Sequence, residues 1–371
     1  MKPLSLLLVV LTLLNCSEPL PEEQSPLPEP IAPGSAFILT TALTYTTSSL
    51  ATFSIEKPSE ITDDLLLASG DAVLVKLGHW LGILNRGQDS NLHLIGREGQ
   101  VGPQYALPGC GPHDALLLRD GRVVISCYEA PELQILSLES GEIELFSLER
   151  FADADGLPEL DHLALVGDVL YVTAQRLDRE NGFSATQAGL LIGVHIPSLT
   201  LMDLSPEQPD QPALELPCRN PYTRLATTSR DSLLVGCVAD FQTPTHAGLL
   251  EIFPDTAQVE VITSAETLGG YPSDLRVSPE GTPWVQIYTP SPHDPYTTQK
   301  ITILSLEPTP QPPRITHAGF TLAGFDFDSR GTLYYALRGQ EAPGLYRLSE
   351  DNSEVLPPLV LTLPPMDVAF F

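Results

Sequence analysis

Six aspartates stand ahead of short apolar runs: Asp64, Asp114, Asp161, Asp274, Asp326 and Asp367. Two follow a proline by two residues, in Pro112-His113-Asp114 and Pro272-Ser273-Asp274, and Pro365-Met366-Asp367 repeats the arrangement. Carboxylates gathered at one place can hold a divalent cation or a polar ligand. The same short side chains can instead bond backbone amides beside them or on a neighbouring segment. Recurrence favours the second use, because a position kept in each repeat serves the repeat. Asp153-Ala154-Asp155-Gly156, followed by Glu159, opens like a calcium loop, with alternating carboxylates and a glycine for the turn. It lacks the third acidic residue and the glutamate at the twelfth position. Calcium at Asp153, Asp155 and Glu159 is the one cofactor the pattern suggests, and a solvated acidic turn is the simpler reading.

The eight histidines form no His-x-x-x-His or His-Glu pattern. The chain has no Gly-x-Ser-x-Gly elbow and no phosphate-cradling loop, so no catalytic residue is assigned. Trp80, Trp284, Tyr288, Tyr334 and Tyr335 fall in or beside apolar runs and are expected to pack.

The elements that position these residues repeat. A turn residue followed by a mostly apolar run begins at Asp71, Gly121, Asp168, Asp231, Gly281 and Gly331, in steps of 50, 47, 63, 50 and 50 residues. Short strands at a step near 50 predict the blades of a β-propeller. Leu133–Leu138 with Glu142–Phe146, Leu249–Phe253 with Val259–Ile262, and Gly344–Leu348 with Val355-Leu356 read as outer hairpins. The two ends supply one more blade. Ala36–Thr41 and Leu50–Ile55 lack an innermost strand, and Met366–Phe371 is an innermost strand with nothing after it. Joining them closes the ring and removes open edges. The expectation is all-β: a seven-bladed β-propeller closed by pairing of N- and C-terminal strands. The 63-residue step holds two insertions, Arg179–Ala188 and Pro206–Pro217. Innermost strands line the channel, so the aspartates should gather at one rim. Asp114, Glu159 and Asp161, with the Arg179–Ala188 loop, form the candidate binding surface.

Beyond Cys16 there are four cysteines, which allow three pairings. Cys127 and Cys237 each end a strand, and Cys110 and Cys218 each stand ahead of the preceding strand. The start of one antiparallel strand lies beside the end of the next. This predicts Cys110–Cys127 and Cys218–Cys237, each stapling one blade, in an oxidising compartment. No Cys-x-x-Cys spacing favours metal instead.

Residues 1–15 read as a signal peptide, with Lys2 followed by an apolar run too short to span a bilayer. Leu13-Leu14-Asn15-Cys16 resembles a lipobox, which would make Cys16 the lipidated residue. Residues 16–35 are rich in Pro and Glu and read as an extended tether, leaving 36–371 as the propeller. With 19 Lys and Arg against 47 Asp and Glu, the net charge is −28. That excludes nucleic acid and anionic lipid as partners, since both require clustered cations. A monomer attached to the membrane only by its anchor is expected.

Phe151–Asp161, Gln175–Arg179 and Asn220-Pro221-Tyr222 carry a resemblance to the propeller lipoproteins of myxobacteria. More broadly the chain is similar to seven-bladed propellers of the YVTN-repeat, surface-layer type, with Leu170-Tyr171-Val172-Thr173 as the nearest copy of that signature. The resemblance implies the fold and a cell-envelope location. By the enteric sorting scheme, Ser17 after the cysteine implies the outer membrane. It implies no reaction and no catalytic residue. The expected role is a binding or scaffold module for a protein or envelope component. The alternative is a propeller lactonase or lyase with a divalent cation in the channel.

Overall fold

The computed structural model describes residues 25–371, apart from 88, 209, 242, 292–297, 307–309, 312–313, 319–322, 340–341 and 350–353. The signal peptide and Cys16 lie outside the described residues. Seven antiparallel sheets stand in a ring. Numbered in chain order, the innermost strands of blades 2 to 7 are Ala72–Leu77, Pro112–Leu117, Leu160–Val166, Ala226–Thr227, Tyr271–Val277 and Phe325–Phe327. Blade 1 takes its innermost strand, Pro365–Phe370, from the far end of the chain and pairs it with Ser35–Thr41. The register runs Ala36 to Phe370, Ile38 to Val368 and Leu39 to Asp367. All seven innermost strands are the first of their sheets along the channel, and their N-terminal ends define what we call the upper face.

The apolar core lies between blades. Leu170, Val172 and Ile192 of blade 4 pack on Val124, Leu133 and Ile135 of blade 3. Ala36, Ile38 and Phe53 of blade 1 pack on Tyr334, Ala336 and Leu345 of blade 7. Each sheet thus covers both neighbours, and no blade holds a core of its own. Strands apolar on both faces follow from this, as in Arg122–Cys127, where all but the first residue are buried.

Two expectations on register change. The run after Asp71 is the innermost strand of blade 2, whereas the other five copies are second strands. The equivalent strand in blade 2 is Trp80–Asn85. Two consecutive apolar runs of equal length cannot be ranked by alternation alone. Asp64 lies in Lys57–Ala68, the outermost strand of blade 1, and is far from the axis.

The end of the Pro/Glu-rich stretch docks on the lower face of blade 2. The Trp80 indole donates to Pro28 O at 2.9 Å, and Ile31 N donates to His79 O at 2.8 Å. A Cβ at Gly96 would meet the backbone of Glu29, so glycine permits this approach. The insertions sit in blade 4, whose outer edge is split between Thr200–Leu201 and Leu214–Glu215. Among the described residues no helix is long and apolar enough to cross a membrane.

Both disulfides form as Cys110–Cys127 and Cys218–Cys237, with sequence separations of 17 and 19. Loops of this size stabilise by about 3 kcal/mol each in the chain-entropy model. Reducing agent should therefore lower the melting temperature, followed by circular dichroism. The Cys110→Ala/Cys127→Ala and Cys218→Ala/Cys237→Ala double variants should each reproduce part of the drop.

Candidate functional site

A cavity of about 240 Å³ opens on the upper face at the axis. One wall is apolar and comes from Leu39, Ala72, Val73 and Met366 of blades 1 and 2. The other is polar and comes from blades 3 to 6 with Arg86 and Asp367. This volume lies just below the usual range for ligand pockets, about 300–1,000 Å³.

Two crossed His–Asp pairs join blades 3 and 4. Asp114 N donates to Ser126 Oγ at 3.0 Å, and His162 N donates to Thr173 Oγ1 at 3.1 Å, so Asp114 and His162 hold the same position in consecutive blades. His113 and Asp161 hold the position before it. Residue types are exchanged between the blades, and each histidine meets the other blade's aspartate. His113 Nδ1 lies 3.0 Å from Asp161 Oδ1, and His162 Nδ1 lies 3.4 Å from Asp114 Oδ2. A second approach puts His162 Nε2 3.7 Å from Asp161 Oδ1.

The tautomer of His113 follows from its partners. Arg86 Nη1 is 3.2 Å from His113 Nε2 and can only donate. Nε2 therefore accepts, and Nδ1–H is given to Asp161. Burial pushes the His113 imidazole below the usual histidine range, and the Asp161 carboxylate opposes this without reversing it. His162 moves the other way. Burial disfavours its charge, but Asp161 and Asp114 outweigh burial and raise it. Asp161 is held below the usual carboxylate range: burial would raise it, and the charge of His162 and the bond from His113 prevail. Adjacent imidazoles shifted in opposite directions are suited to acid and base roles at one pH.

Further contacts fix these groups. The Tyr128 ring stacks on His113, with centroids 4.1 Å apart and planes 9° from parallel. Tyr128 OH donates to Gln175 Oε1 at 3.1 Å, and Gln175 Nε2 donates to Asp161 Oδ2 at 2.5 Å. Tyr222 lines the same cavity, and burial pushes its hydroxyl up to about 12, which keeps it protonated at neutral pH.

The recurring aspartates each accept from the next backbone amide: Asp114 from Ala115, Asp274 from Leu275, Asp326 from Phe327 and Asp367 from Val368, at 2.8–2.9 Å. Asp114 Oδ2 also accepts from Leu163 N of the next blade at 3.0 Å. Asp161, one position earlier, makes no such bond and serves the histidines. Blade 5 has no aspartate here and supplies Arg224, which bonds Asp367 and lies 3.6 Å from Asp274.

Glu159 is fully buried away from the axis. It accepts from Leu177 N at 3.0 Å and from Arg179 Nε at 2.8 Å. Arg179 also bonds Glu129 at 2.6 Å and Tyr128 O at 2.9 Å, and its guanidinium covers the Tyr128 ring. The blade 4 insertion is thereby fastened to the segment that carries Tyr128. Asp153 Oδ1 accepts from Asp155 N, and Asp155 Oδ1 accepts from Leu157 N, forming a self-bonded turn. Among the described residues no three His, Cys, Asp or Glu side chains converge as metal ligands.

Sequence reasoning missed His113, His162, Tyr128 and Arg224. The available signal was a histidine beside an aspartate at the same blade position, in the order His-Asp and then Asp-His.

No family model and no curated protein matches the chain. Solved structures share its fold. A putative 6-phosphogluconolactonase from Bacteroides fragilis is 12% identical over 91% of this chain and 98% of its own, with a TM-score of 0.61. Virginiamycin B lyase from Staphylococcus aureus is 13% identical over 81% of this chain and 87% of its own, with a TM-score of 0.53. A catalytically inactive histidine-to-alanine form of that lyase, with quinupristin, is 14% identical over 79% and 86%, with a TM-score of 0.50. The chain is a seven-bladed propeller whose structural neighbours include lyases and lactonases.

Two substitutions probe the site's supports. Gly324 lies where a Cβ would collide with Asp367 Oδ1. Gly324→Ala should lower the melting temperature by displacing the partner of Arg224. Burial, opposed by Arg179 and the Leu177 amide, raises Glu159 from the usual 4.5 to about 7. A raised carboxyl contributes stability that is present below 4.5 and lost as pH rises through 7. Melting curves of wild type and Glu159→Gln should therefore diverge over that window, with the wild type losing ground to the variant as pH rises.

Proposed function

We propose that the axial cavity is the active site of a lactone-hydrolase or lyase type of enzyme acting by proton transfer on a small, partly apolar substrate. The observation that carries this reading is the crossed His–Asp pair. His113 is neutral, oriented by Asp161 and clamped by Tyr128, with Nε2 at the cavity wall. His162 lines the same cavity and holds its proton more tightly. A base and an acid stand together at neutral pH.

Lactone hydrolysis and elimination use this apparatus alike. His113 Nε2 takes a proton from water attacking an ester carbonyl, or from a carbon beside a carbonyl. His162 returns a proton to the departing oxygen. Arg86 must turn aside from Nε2 for substrate to reach it. Its anchor is Asp71, an exposed pair at 2.5 Å, which costs little to release. The apolar wall of Leu39, Val73 and Met366 receives the hydrocarbon side of the substrate. The solved lyases and lactonases support this reading over a scaffold role through their fold, and the inactive histidine variant concerns that lyase alone.

The proposal extends to placement. Residues 28–31 are held on the lower face, opposite the cavity. A lipid on Cys16 would then turn that face to a membrane of the cell envelope and leave the upper cavity open.

The test is a panel of small lactones and of cyclic esters open to elimination, assayed with the full chain. His113→Gln should lose about 10²–10⁴ in turnover, the span general bases contribute, at an unchanged melting temperature. The pH profile of kcat/KM should be a bell. Its acid limb lies below the usual histidine value, where His113 protonates, and its alkaline limb lies above it, where His162 loses its proton. Absence of turnover across the panel, or wild-type rates in His113→Gln, counts against the reading.

A further inference from the structure

The deeper axial carboxylates are of the ligand type a divalent cation takes, but among the described residues they do not come together as a metal site. Asp274, Asp326 and Asp367 belong to three consecutive blades, and each is approached by Arg276. Two guanidinium groups already occupy the space between them. Arg276 Nη1 bonds Asp274 Oδ1 at 2.6 Å, its Nη2 lies 3.4 Å from Asp367 Oδ1, and its Nε lies 4.0 Å from Asp326 Oδ1. Arg224 bonds the second oxygen of Asp367 and approaches Asp274 at 3.6 Å. Arg276 and all three aspartates are largely buried, with side-chain exposures of 11, 10, 20 and 10% for Arg276, Asp274, Asp326 and Asp367. Arg224 is the exception at 31%, and it lines both the upper cavity and a lower one of about 280 Å³.

We propose that Arg224, backed by Arg276, is this propeller's axial cation, permanently standing in the place of a divalent metal and presenting fixed positive charge to an anionic or carbonyl oxygen in the upper cavity. Three buried carboxylates need compensation, because a buried charge left unpaired is strongly destabilising. A guanidinium supplies charge at every working pH and several donors in one plane. Arg224 comes from blade 5, which has Pro221-Tyr222-Thr223 where blade 6 has Pro272-Ser273-Asp274, and in this exchange a cation stands there that balances the neighbouring carboxylates. The same exchange removes a ligand that a metal would need. The charge assignment stands whether or not the cavity is catalytic. The oxygen-binding role rests on the enzymatic reading above.

The decisive measurement is metal-dependent melting, with calorimetric titration of Ca²⁺, Mg²⁺ and Mn²⁺, on the full chain. Wild type should bind none of them at the axis, and its melting temperature should be the same in EDTA as in millimolar metal. Arg224→Met should melt lower, and Ca²⁺ or Mn²⁺ should restore part of the loss in that variant alone. Arg224→Lys keeps the charge and should fold and stay insensitive to metal, which preserves the test if Arg224→Met does not fold. Wild-type metal binding that Asp274→Asn abolishes would overturn the proposal. So would a folded Arg224→Met that gains nothing from any of the three metals. These outcomes are read without activity, so they are separate from failure of the substrate panel.

Discussion

Closure of the ring is the constraint on which everything else depends. The pairing of residues 36–40 with 365–370 completes blade 1 and forces seven innermost strands to run side by side along one channel. No strand lies inward of them, so channel-facing groups must find partners in their own strand, in adjacent blades or in water. The repeated aspartate is one answer, since it holds the next amide of its own strand. It also concentrates negative charge where strands converge. A ring of carboxylates without cations would repel itself at low dielectric. Arg224, Arg276 and His162, whose charged form the aspartates favour, supply compensation at the site.

The disulfides and the blade 4 insertion serve the same region. Cys110–Cys127 joins the segment that leads into His113 to the one that leads into Tyr128. Cys218–Cys237 ties down the approach to Tyr222 and Arg224. Arg179 fastens the insertion to Tyr128 from outside. These are the places where loops carry site residues, and loops lack the ladder bonds that hold strands. Rigidity is added where the blade plan does not supply it, as expected for groups that must be held within fractions of an ångström.

Much of the fold was legible because it depends on local pattern. Outer hairpins such as Glu132–Ser137 with Ile143–Ser147 announce themselves by alternation and a short turn. The closing blade was legible because a missing strand at one end matched an extra strand at the other. The disulfide pairing followed from antiparallel neighbours. What stayed hidden is the phase of side chains around a bulge. The ladders of blades 3, 4 and 6 each slip near the start of the innermost strand, between Pro112 and Asp114, Leu160 and Leu163, and Pro272 and Asp274. A slip of one residue re-aims a side chain, and spacing alone does not report it. Spacing alone therefore sets Asp161 with the other aspartates, although it occupies the position of His113.

The same slip explains why the site is chemically asymmetric within a near-symmetric ring. Two neighbouring residues at the bulge both reach the channel, which gives each of these blades two chances to place a polar group there. Blade 3 uses them for His113 and Asp114, and blade 4 for Asp161 and His162. Blade 5 places Arg224 just beyond, and blade 6 places Ser273 and Asp274. A strict repeat would have set seven identical carboxylates on the axis, a surface fit for a cation and little else. Substituting types in and just beyond one two-residue window, without changing the strand plan, puts two imidazoles and a guanidinium on that surface. The repeat secures the geometry, and its departures from repetition supply the chemistry.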